Sequence, residues 1–255
     1  MVFYFTGTGN SLYAATQLDG ERYSIPQIVH GEHLEFTAER IGIVCPIYGH
    51  EMPAMVKEFI RRSDFHTEYL YLILTYGKRH ANAAELAATV FKDAGKRVDY
   101  IATLLMVDNF LPVFDMTEET ALDKAVEPQL AAIRSDIEAK KHGIEAVTST
   151  DRAAHAGYMA SVKNQPETVW ADFLITDACI GCGICNKVCP GGCIHLENQR
   201  AVYSPDDCQA CFACIHACPK LAIHFHIPEK NPGARYRNEH ISLTQLVAAN
   251  NQTNY

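Results

Sequence analysis

The first 140 residues alternate short apolar runs with segments whose apolar residues recur at helical spacing. Four strong runs cover residues 1–5, 41–47, 69–75 and 98–107. A weaker run over 23–28 is interrupted by Pro26, as is typical of a sheet edge. The intervening segments predict helices, including a long one over 118–141 that contains Pro128. Alternating strands and helices favour a parallel sheet covered on both faces, so we predict an α/β fold with five strands ordered 2-1-3-4-5.

The second half of the chain has a different pattern, which predicts a second, smaller domain. Residues 146–172 are polar and Ala-rich and predict a linker with one short helix near 152–162. Residues 173–226 combine cysteines, glycines and a hairpin signal, which predicts a small α+β domain. A tail over 227–255 contains a turn signal and the apolar stretch SLTQLV, which we expect to dock as a helix. The first domain then covers 1–145.

Composition and charge narrow the possible functions. The chain has 255 residues and a net charge of -8, which argues against a nucleic-acid partner because phosphate binding needs clustered basic residues. No apolar run reaches the roughly 18 residues that a membrane helix requires. The first strand begins at Val2 without a basic leader, so we expect a cytoplasmic protein with no membrane partner.

An uncharged loop follows the first strand and consists of Thr6, Gly7, Thr8, Gly9, Asn10 and Ser11. A strand, a glycine loop and a helix start direct backbone N–H groups at one point, which creates an anion site without lysine. The loop is not a Walker loop, which would continue with Gly-Lys-Ser/Thr where this chain has Gly9, Asn10 and Ser11. It is also not a dinucleotide fingerprint, which would have a third glycine in place of Leu12. A phosphate monoester fits this loop, and a polar turn without a ligand is the alternative.

The succession of strand, T-G-T-G-N-S and helix resembles the phosphate loop of flavodoxins, which holds the phosphate of FMN. Two loops after the third and fourth strands extend the resemblance: Pro46, Ile47, Tyr48 and Gly49, and Thr75, Tyr76 and Gly77. The resemblance implies a flavodoxin-like doubly wound sheet in which Tyr48 and Tyr76 stack on the isoalloxazine ring. A buried tyrosine at a strand end is the alternative for each. The basic stretch 78–80 departs from the acidic loop of ordinary flavodoxins and indicates either positive charge beside the flavin or a solvated loop.

Nine of the ten cysteines lie between residues 179 and 218. Eight of them form two copies of C-x2-C-x2-C-x3-C-P, comprising Cys179, Cys182, Cys185 and Cys189, then Cys208, Cys211, Cys214 and Cys218. The repeated run resembles that of bacterial two-cluster ferredoxins, in which the fourth cysteine of each run binds the other cluster. The resemblance implies one [4Fe-4S] cluster on Cys179, Cys182, Cys185 and Cys218, and a second on Cys208, Cys211, Cys214 and Cys189. Zinc is the alternative, although zinc sites do not need the duplicated third and fourth cysteines.

The two remaining cysteines and several histidines carry weaker signals. Cys193 stands where such ferredoxins usually have a small apolar residue, so we expect it to pack beside a cluster, with an exchangeable ligand as the alternative. Cys45 ends a buried strand and is expected in the core. Residues His195, His216, His224 and His226 are expected at the surface or in the shell around the clusters.

Taken together, the chain resembles the flavodoxin–ferredoxin fusion proteins, which are small soluble flavin and iron–sulfur proteins of anaerobes. The stretches Asp108-Asn109-Phe110 and R-Y-R-N extend the likeness. The resemblance implies electron transfer between two [4Fe-4S] clusters and FMN, from a low-potential donor reductase to an acceptor protein. The alternatives are an FMN-dependent reductase of a small organic substrate and a redox or oxygen sensor.

Overall fold

The structure is a computed structural model that describes residues 1–165 and 172–253. The proximity of Cα atoms divides the described chain into two compact units. Unit 1 comprises residues 1–5, 11–106 and 124–165, and unit 2 comprises residues 6–10, 107–123 and the described part of 166–255. The predicted linker 146–172 and tail 227–255 extend beyond the described residues at 166–171 and at 254–255.

The described part of unit 1 is built around a parallel sheet of six strands. Its strands are β1 (Val2–Tyr4), β2 (Arg22–Ser24), β3 (Glu35–Thr37), β4 (Arg40–Pro46), β5 (Asp64–His66), β6 (Tyr69–Tyr76), β7 (Tyr100–Leu105) and β8 (Gly143–Ile144). Six of them pair in the order β2-β1-β4-β6-β7-β8, while β3 and β5 form a separate parallel pair. The central strands β4 and β6 are almost entirely buried, because helices cover both faces of a parallel sheet.

The structure confirms an α/β fold with a parallel sheet, but the sheet has six strands where five were predicted, so its full strand order is extended by one. Strands β2, β1, β4, β6 and β7 are the predicted ones, and β8 lies beyond β7 as a sixth. Strand β8 has only two residues, both exposed, so it carries no periodic signal. The weak run at 23–28 becomes strand β2 at the sheet edge, followed by a helical turn that accommodates Pro26 near its start.

Seven helices lie in the described chain before residue 166: α1 (Asn10–Thr16), α2 (Ile25–Ile28), α3 (Ala54–Arg62), α4 (Ala83–Asp93), α5 (Met116–Thr120), α6 (Val126–Glu138) and α7 (Ser149–Val162). The predicted single helix over 118–141 is wrong, because the chain breaks between α5 and α6. Ala125 lies at the break with a left-handed φ of 48°. Pro128 therefore falls in the first turn of α6, where its missing N–H leaves no helical hydrogen bond unmade.

Helix α7 occupies much of the predicted linker and is longer than the expected helix over 152–162. Thr148 caps its N-terminus, and the side chain of Asp151 accepts a hydrogen bond from the Thr148 backbone. This reciprocal pair satisfies amides that the first turn of a helix leaves without partners. The T-x-x-D spacing was a sequence signal for this start.

Unit 2 packs short strands and helices around a small aromatic core. Its remaining elements are β9 (Phe173–Ile175), α8 (Ile184–Lys187), β10 (Ile194–Glu197), β11 (Arg200–Tyr203), α9 (Ala213–Ala217), β12 (Ile223–Phe225) and α10 (Leu243–Asn250). Strands β10 and β11 form the predicted hairpin, and β9 pairs antiparallel with β12. Rings of Phe110, Phe173, Phe212 and Phe225 meet in the core. Helix α10 confirms the predicted helix in the tail.

A buried ion pair stabilises the tail of unit 2. The guanidinium of Arg235 lies 2.9 Å from a carboxylate oxygen of Glu229, and their side chains are only 8% and 2% exposed. The other carboxylate oxygen accepts a hydrogen bond from the backbone of Phe225 and lies 3.1 Å from His224. Removal of either partner would leave a charge buried without compensation.

We expect Arg235→Leu to lower the free energy of unfolding of unit 2 by about 3–5 kcal/mol, because the buried carboxylate of Glu229 would lose its guanidinium partner. The thermal midpoint of the anaerobic protein measures this effect. Lys230→Ala is the matched control, since the Lys230–Glu118 pair is 49% and 70% exposed and contributes less than about 1 kcal/mol. Equal midpoints for the two variants would contradict the assignment.

Among the described residues, no helix has both the length and the apolar character needed to cross a membrane.

Candidate functional site

Four cysteines of the two repeats line a single cavity in unit 2: Cys179, Cys182, Cys185 and Cys218. Backbone amides point at two of their sulfur atoms, since Ala222 donates to Cys218 at 3.2 Å and Ala201 donates to Cys179 at 3.5 Å. Cys182 is exposed, whereas Cys185 is buried. This burial raises the pKa of the Cys185 thiol to about 11. We call these four residues the first cysteine group.

The other four repeat cysteines form a second group, consisting of Cys189, Cys208, Cys211 and Cys214. Their thiols lie close enough for mutual charge repulsion, and burial is the main cause that raises the pKa of Cys211 and Cys214. The backbone amide of Cys193 donates to the sulfur of Cys189 at 3.3 Å. The composition of both groups agrees with the crossed pattern in which each repeat contributes its fourth cysteine to the other group.

The donor set of each group fits an iron–sulfur cluster. None of the ten cysteines forms a disulfide bond. Buried thiols with raised pKa values become thiolates when a metal displaces their protons. Amide N–H groups directed at sulfur are the outer contacts that tune such clusters. Among the described residues, no group of three or more His, Cys, Asp or Glu side chains is close enough together to bind a single metal ion. An iron–sulfur cubane does not require such a group, because each thiolate binds a different iron atom.

The two repeats share a backbone shape despite different residues. Gly181 and Gly183 have φ values of +66° and +74° in the first repeat, and Ala210 and Phe212 have values of 48° and 61° in the second. A Cβ at Gly181 would lie 2.1 Å from the carbonyl oxygen of Gln199, so only glycine fits there. Left-handed conformations cost side-chain-bearing residues about 1–2 kcal/mol, and burial of the Phe212 ring in the core of unit 2 offsets this.

The glycine loop 6–10 belongs to unit 2 and is tightly held there. Thr6 and Thr8 are buried, and the amide of Gly9 donates to the hydroxyl of Thr6 at 3.1 Å. The side chain of Asn10 donates to the carbonyl of Val107 and accepts from the hydroxyl of Tyr236. Gly9, with φ of +105°, packs against the tail. The side chain of Asn10, which belongs to the predicted phosphate loop, therefore forms these hydrogen bonds within the protein.

The other two predicted loops lie next to each other in unit 1. The amide of Ile47 donates to the carbonyl of Thr75 at 2.9 Å, continuing the β4–β6 pairing that aligns Pro46 with Thr75. The hydroxyl of Thr75 lies 2.8 Å from that of Ser11. Tyr48 and Tyr76 are each half-buried, and burial raises the pKa of Tyr76. Gly77 completes this pair of loops at the end of β6.

Helix α7 packs over the first of these loops, a contact that sequence reasoning missed. A Cβ at Gly49 would lie 2.5 Å from the hydroxyl of Tyr158. The ring of His50 lies 5.1 Å from that of Tyr158 and 5.9 Å from that of His155. Burial and the neighbouring His155 lower the pKa of His50. The Nδ1 atoms of both histidines are buried without a hydrogen-bond partner among the described residues.

The family model of the 4Fe-4S dicluster domain matches residues 171–219. A seven-iron ferredoxin of Hydrogenibacillus schlegelii is 39% identical over 62 residues, which is 23% of this chain and 80% of that ferredoxin. The chain belongs to the dicluster ferredoxin family. The matched stretch contains both cysteine repeats, and a dicluster ferredoxin domain binds [4Fe-4S] clusters and serves electron transfer.

Two further relatives of the dicluster ferredoxin domain are components of larger enzymes. One component of an ion-translocating oxidoreductase complex from Methanosarcina acetivorans is 44% identical over 45 residues, 18% of this chain and 17% of that component. The pyruvate synthase component PorD of Methanothermobacter marburgensis is 41% identical over 51 residues, 20% of this chain and 59% of PorD. The chain thus spans less than two thirds of either relative, and in both the likeness covers about a fifth of this chain.

His216, expected at the surface or around the clusters, is a structural residue of the ferredoxin domain. It lies in α9 and is buried, and this burial lowers its pKa to about 4. Its Nδ1 accepts from the amide of Tyr236 at 3.0 Å, so its Nε2 donates to the carbonyl of Asn109 at 2.8 Å. His195 and His226 are exposed, as expected, while His224 is partly buried beside Glu229.

Cys193 lies beside the second group of the ferredoxin domain and in neither set of four. Its thiol hydrogen-bonds to Cys189 and Cys208, and it is the main cause that lowers the pKa of Cys208 to about 6. This position matches packing beside a cluster.

We expect Cys193→Ala to keep the full iron content and to lower the reduction potential of one cluster, because a hydrogen bond to sulfur stabilises the more negative reduced state. Anaerobic redox titration followed by electron paramagnetic resonance measures this shift. Loss of half of the iron would instead identify Cys193 as a ligand.

Proposed function

We propose that this protein is an electron carrier that holds two [4Fe-4S] clusters and one FMN, and that passes electrons from a low-potential donor reductase to an acceptor protein. The first cysteine group would hold one cluster and the second group the other. The observation that carries the proposal is the assembly of eight cysteines into two sets of four, each with backbone amides directed at sulfur.

Several features of the described residues support FMN as the partner of the clusters. The glycine loop is buried, uncharged and followed by helix α1, whose first amides have no partners within the helix. An anion of a phosphate monoester is the ligand that such amides favour. In unit 1, Tyr48 and Tyr76 lie in neighbouring loops and offer flat, half-buried faces.

The clusters, the FMN and the residues around them would have distinct roles in electron transfer. Clusters carry single electrons, and FMN stores one or two, so together they convert one-electron delivery into a stored pair. The cysteine thiolates and their amide donors would set how easily each cluster is reduced. The glycine loop would fix the position of the phosphate, and the tyrosines would exclude water from the ring.

A reductase of a small organic substrate is the second candidate, favoured by the pair of His50 and His155, which lies between the Pro46–Gly49 loop and helix α7. The unpartnered Nδ1 atoms of His50 and His155 could hold or donate a proton beside the Pro46–Gly49 loop. Steady-state assays with quinones and nitroaromatics separate the two functions. Saturable turnover of one compound that is lost in His50→Gln favours the reductase, whereas unselective transfer favours the carrier.

Anaerobic purification with metal and flavin analysis tests the proposed function. We expect about eight irons, about eight acid-labile sulfides and one FMN per chain, with absorbance that bleaches in air. Recovery of zinc without sulfide would overturn the cluster assignment. A protein that contains iron and sulfide but neither retains nor binds FMN would reduce the proposal to a ferredoxin.

A further inference from the structure

We propose that the glycine loop 6–10 is held in its phosphate-binding shape by the ligand segments of the second cysteine group, so that FMN binding depends on metal occupancy of that group. The inference rests on the proposed function, because it takes FMN as the ligand of the loop and clusters as the ligands of the cysteines. Two asparagine side chains and one segment of the tail carry it, all within unit 2.

Asn250 joins the start of the glycine loop to the segment of Cys189. Its side-chain amide donates to the carbonyl of Thr6 at 2.9 Å and to the carbonyl of Val188 at 3.2 Å. Asn250 is fully buried at the end of α10. Because Val188 directly precedes Cys189, a shift of this ligand segment would move the donor that holds Thr6.

Asn109 makes the corresponding connection to the segment of Cys211. Its side-chain amide donates to the hydroxyl of Thr8 at 3.2 Å and lies 3.5 Å from the carbonyl of Cys211. The ring of His216, between Cys214 and Cys218 on α9, holds the carbonyl of Asn109. Both bridges therefore end beside ligands of the second group.

The tail closes the remaining side of the loop. The backbone amide of Asn238 donates to the carbonyl of Thr8 at 2.9 Å, and its side chain donates to Asn10 at 3.2 Å. The tail is in turn fixed to α9, because the amide of Tyr236 donates to His216. The contacts from Asn238 are therefore linked to the cysteine-rich stretch through Tyr236 and His216.

These contacts determine which way the loop amides face. In a planar trans peptide the C=O and N–H groups point in opposite directions. When Asn250 holds the carbonyl of Thr6, the amide of Gly7 must therefore face away from Asn250. A loop that is oriented before the ligand arrives binds more tightly, since less ordering remains to be done. Loosening of the second group would remove this orientation. Cys182 of the first group is separated from Val188 by helix α8, so we expect its loss to disturb the two bridges less.

The test compares two variants that each disable one cysteine group. Cys211→Ser removes a ligand of the second group, and Cys182→Ser removes a ligand of the first. The Kd for added FMN is measured anaerobically by quenching of flavin fluorescence, with iron content determined on the same samples. We expect Cys211→Ser to raise the Kd about tenfold more than Cys182→Ser, at equal iron content. Equal Kd values for the two variants would overturn the inference.

A second comparison avoids changes to the cysteines. We expect Asn109→Ala and Asn250→Ala each to raise the Kd for FMN about tenfold while the protein keeps its iron. Asn231→Ala is the matched control, because its amide joins the tail to Asp115 without touching the glycine loop. A Kd in the Asn109 and Asn250 variants equal to that of the control contradicts the inference. Failure of the unmodified protein to bind FMN would instead overturn the proposed function.

Discussion

Replacing Cys185 with serine is expected to lower the iron content from about eight to about four atoms per chain. Cys185 lies among Cys179, Cys182 and Cys218, so its loss would disable the first group and leave the second intact. Serine is a poor substitute, because iron–sulfur clusters are held by thiolates. Iron and sulfide analysis of the anaerobic protein gives the count, and electron paramagnetic resonance of the reduced protein shows whether one cluster signal remains.

Cys45→Ala is the control for this experiment. Cys45 is fully buried in strand β4 and belongs to neither cysteine group, and burial raises the pKa of its thiol. We expect this variant to keep about eight irons. If Cys185→Ser also retains its full iron content, the ligand assignment is wrong. If Cys45→Ala loses iron, the loss reflects general destabilisation.

Gly9→Ala is expected to weaken FMN binding by roughly ten- to a hundredfold. At φ of +105° an alanine is strained, and its Cβ would lie 3.0 Å from the Cβ of Asn238 and 3.1 Å from that of Ile241. The alanine would therefore push the tail away from the loop and remove the contact from Asn238 to Thr8. Titration of the flavin-free protein with FMN measures the change in Kd.

Gly95→Ala separates backbone strain from contact with the tail. Gly95 also has a left-handed φ, of +70°, yet a Cβ there would meet no heavy atom within 4 Å. We expect this control to lower the thermal midpoint slightly and to leave the Kd for FMN unchanged. Unchanged FMN affinity in Gly9→Ala would show that the phosphate is bound elsewhere.

Strong periodic signals predicted the central part of the fold, and weak or long-range ones did not. The apolar runs that form β4, β6 and β7 are long and continuous, so the sequence alone predicted buried strands there. Strand β8 has two residues, and the break at Ala125 depends on a single backbone angle. Neither leaves a pattern in the sequence.

The candidate sites show the same contrast between local and distant information. Regular cysteine spacing predicted the two groups, because most ligands of one cluster lie within a few residues of each other. The roles of Asn109, Asn238 and Asn250 depend on partners more than 100 residues away along the chain or on the fold of the tail. Polar residues in loops carry no periodicity, so such contacts become visible only in the folded chain.

The two cysteine groups differ in their access to solvent. Cys182 and Ile180 are exposed, whereas Cys211 and Cys214 are each only 6% exposed. Chelators and oxidants therefore reach the first group sooner, and damage to the protein should proceed in two stages. If the proposed function holds, the earlier stage would spare the residues that support the glycine loop, and a partly damaged molecule would still bind FMN after losing one cluster.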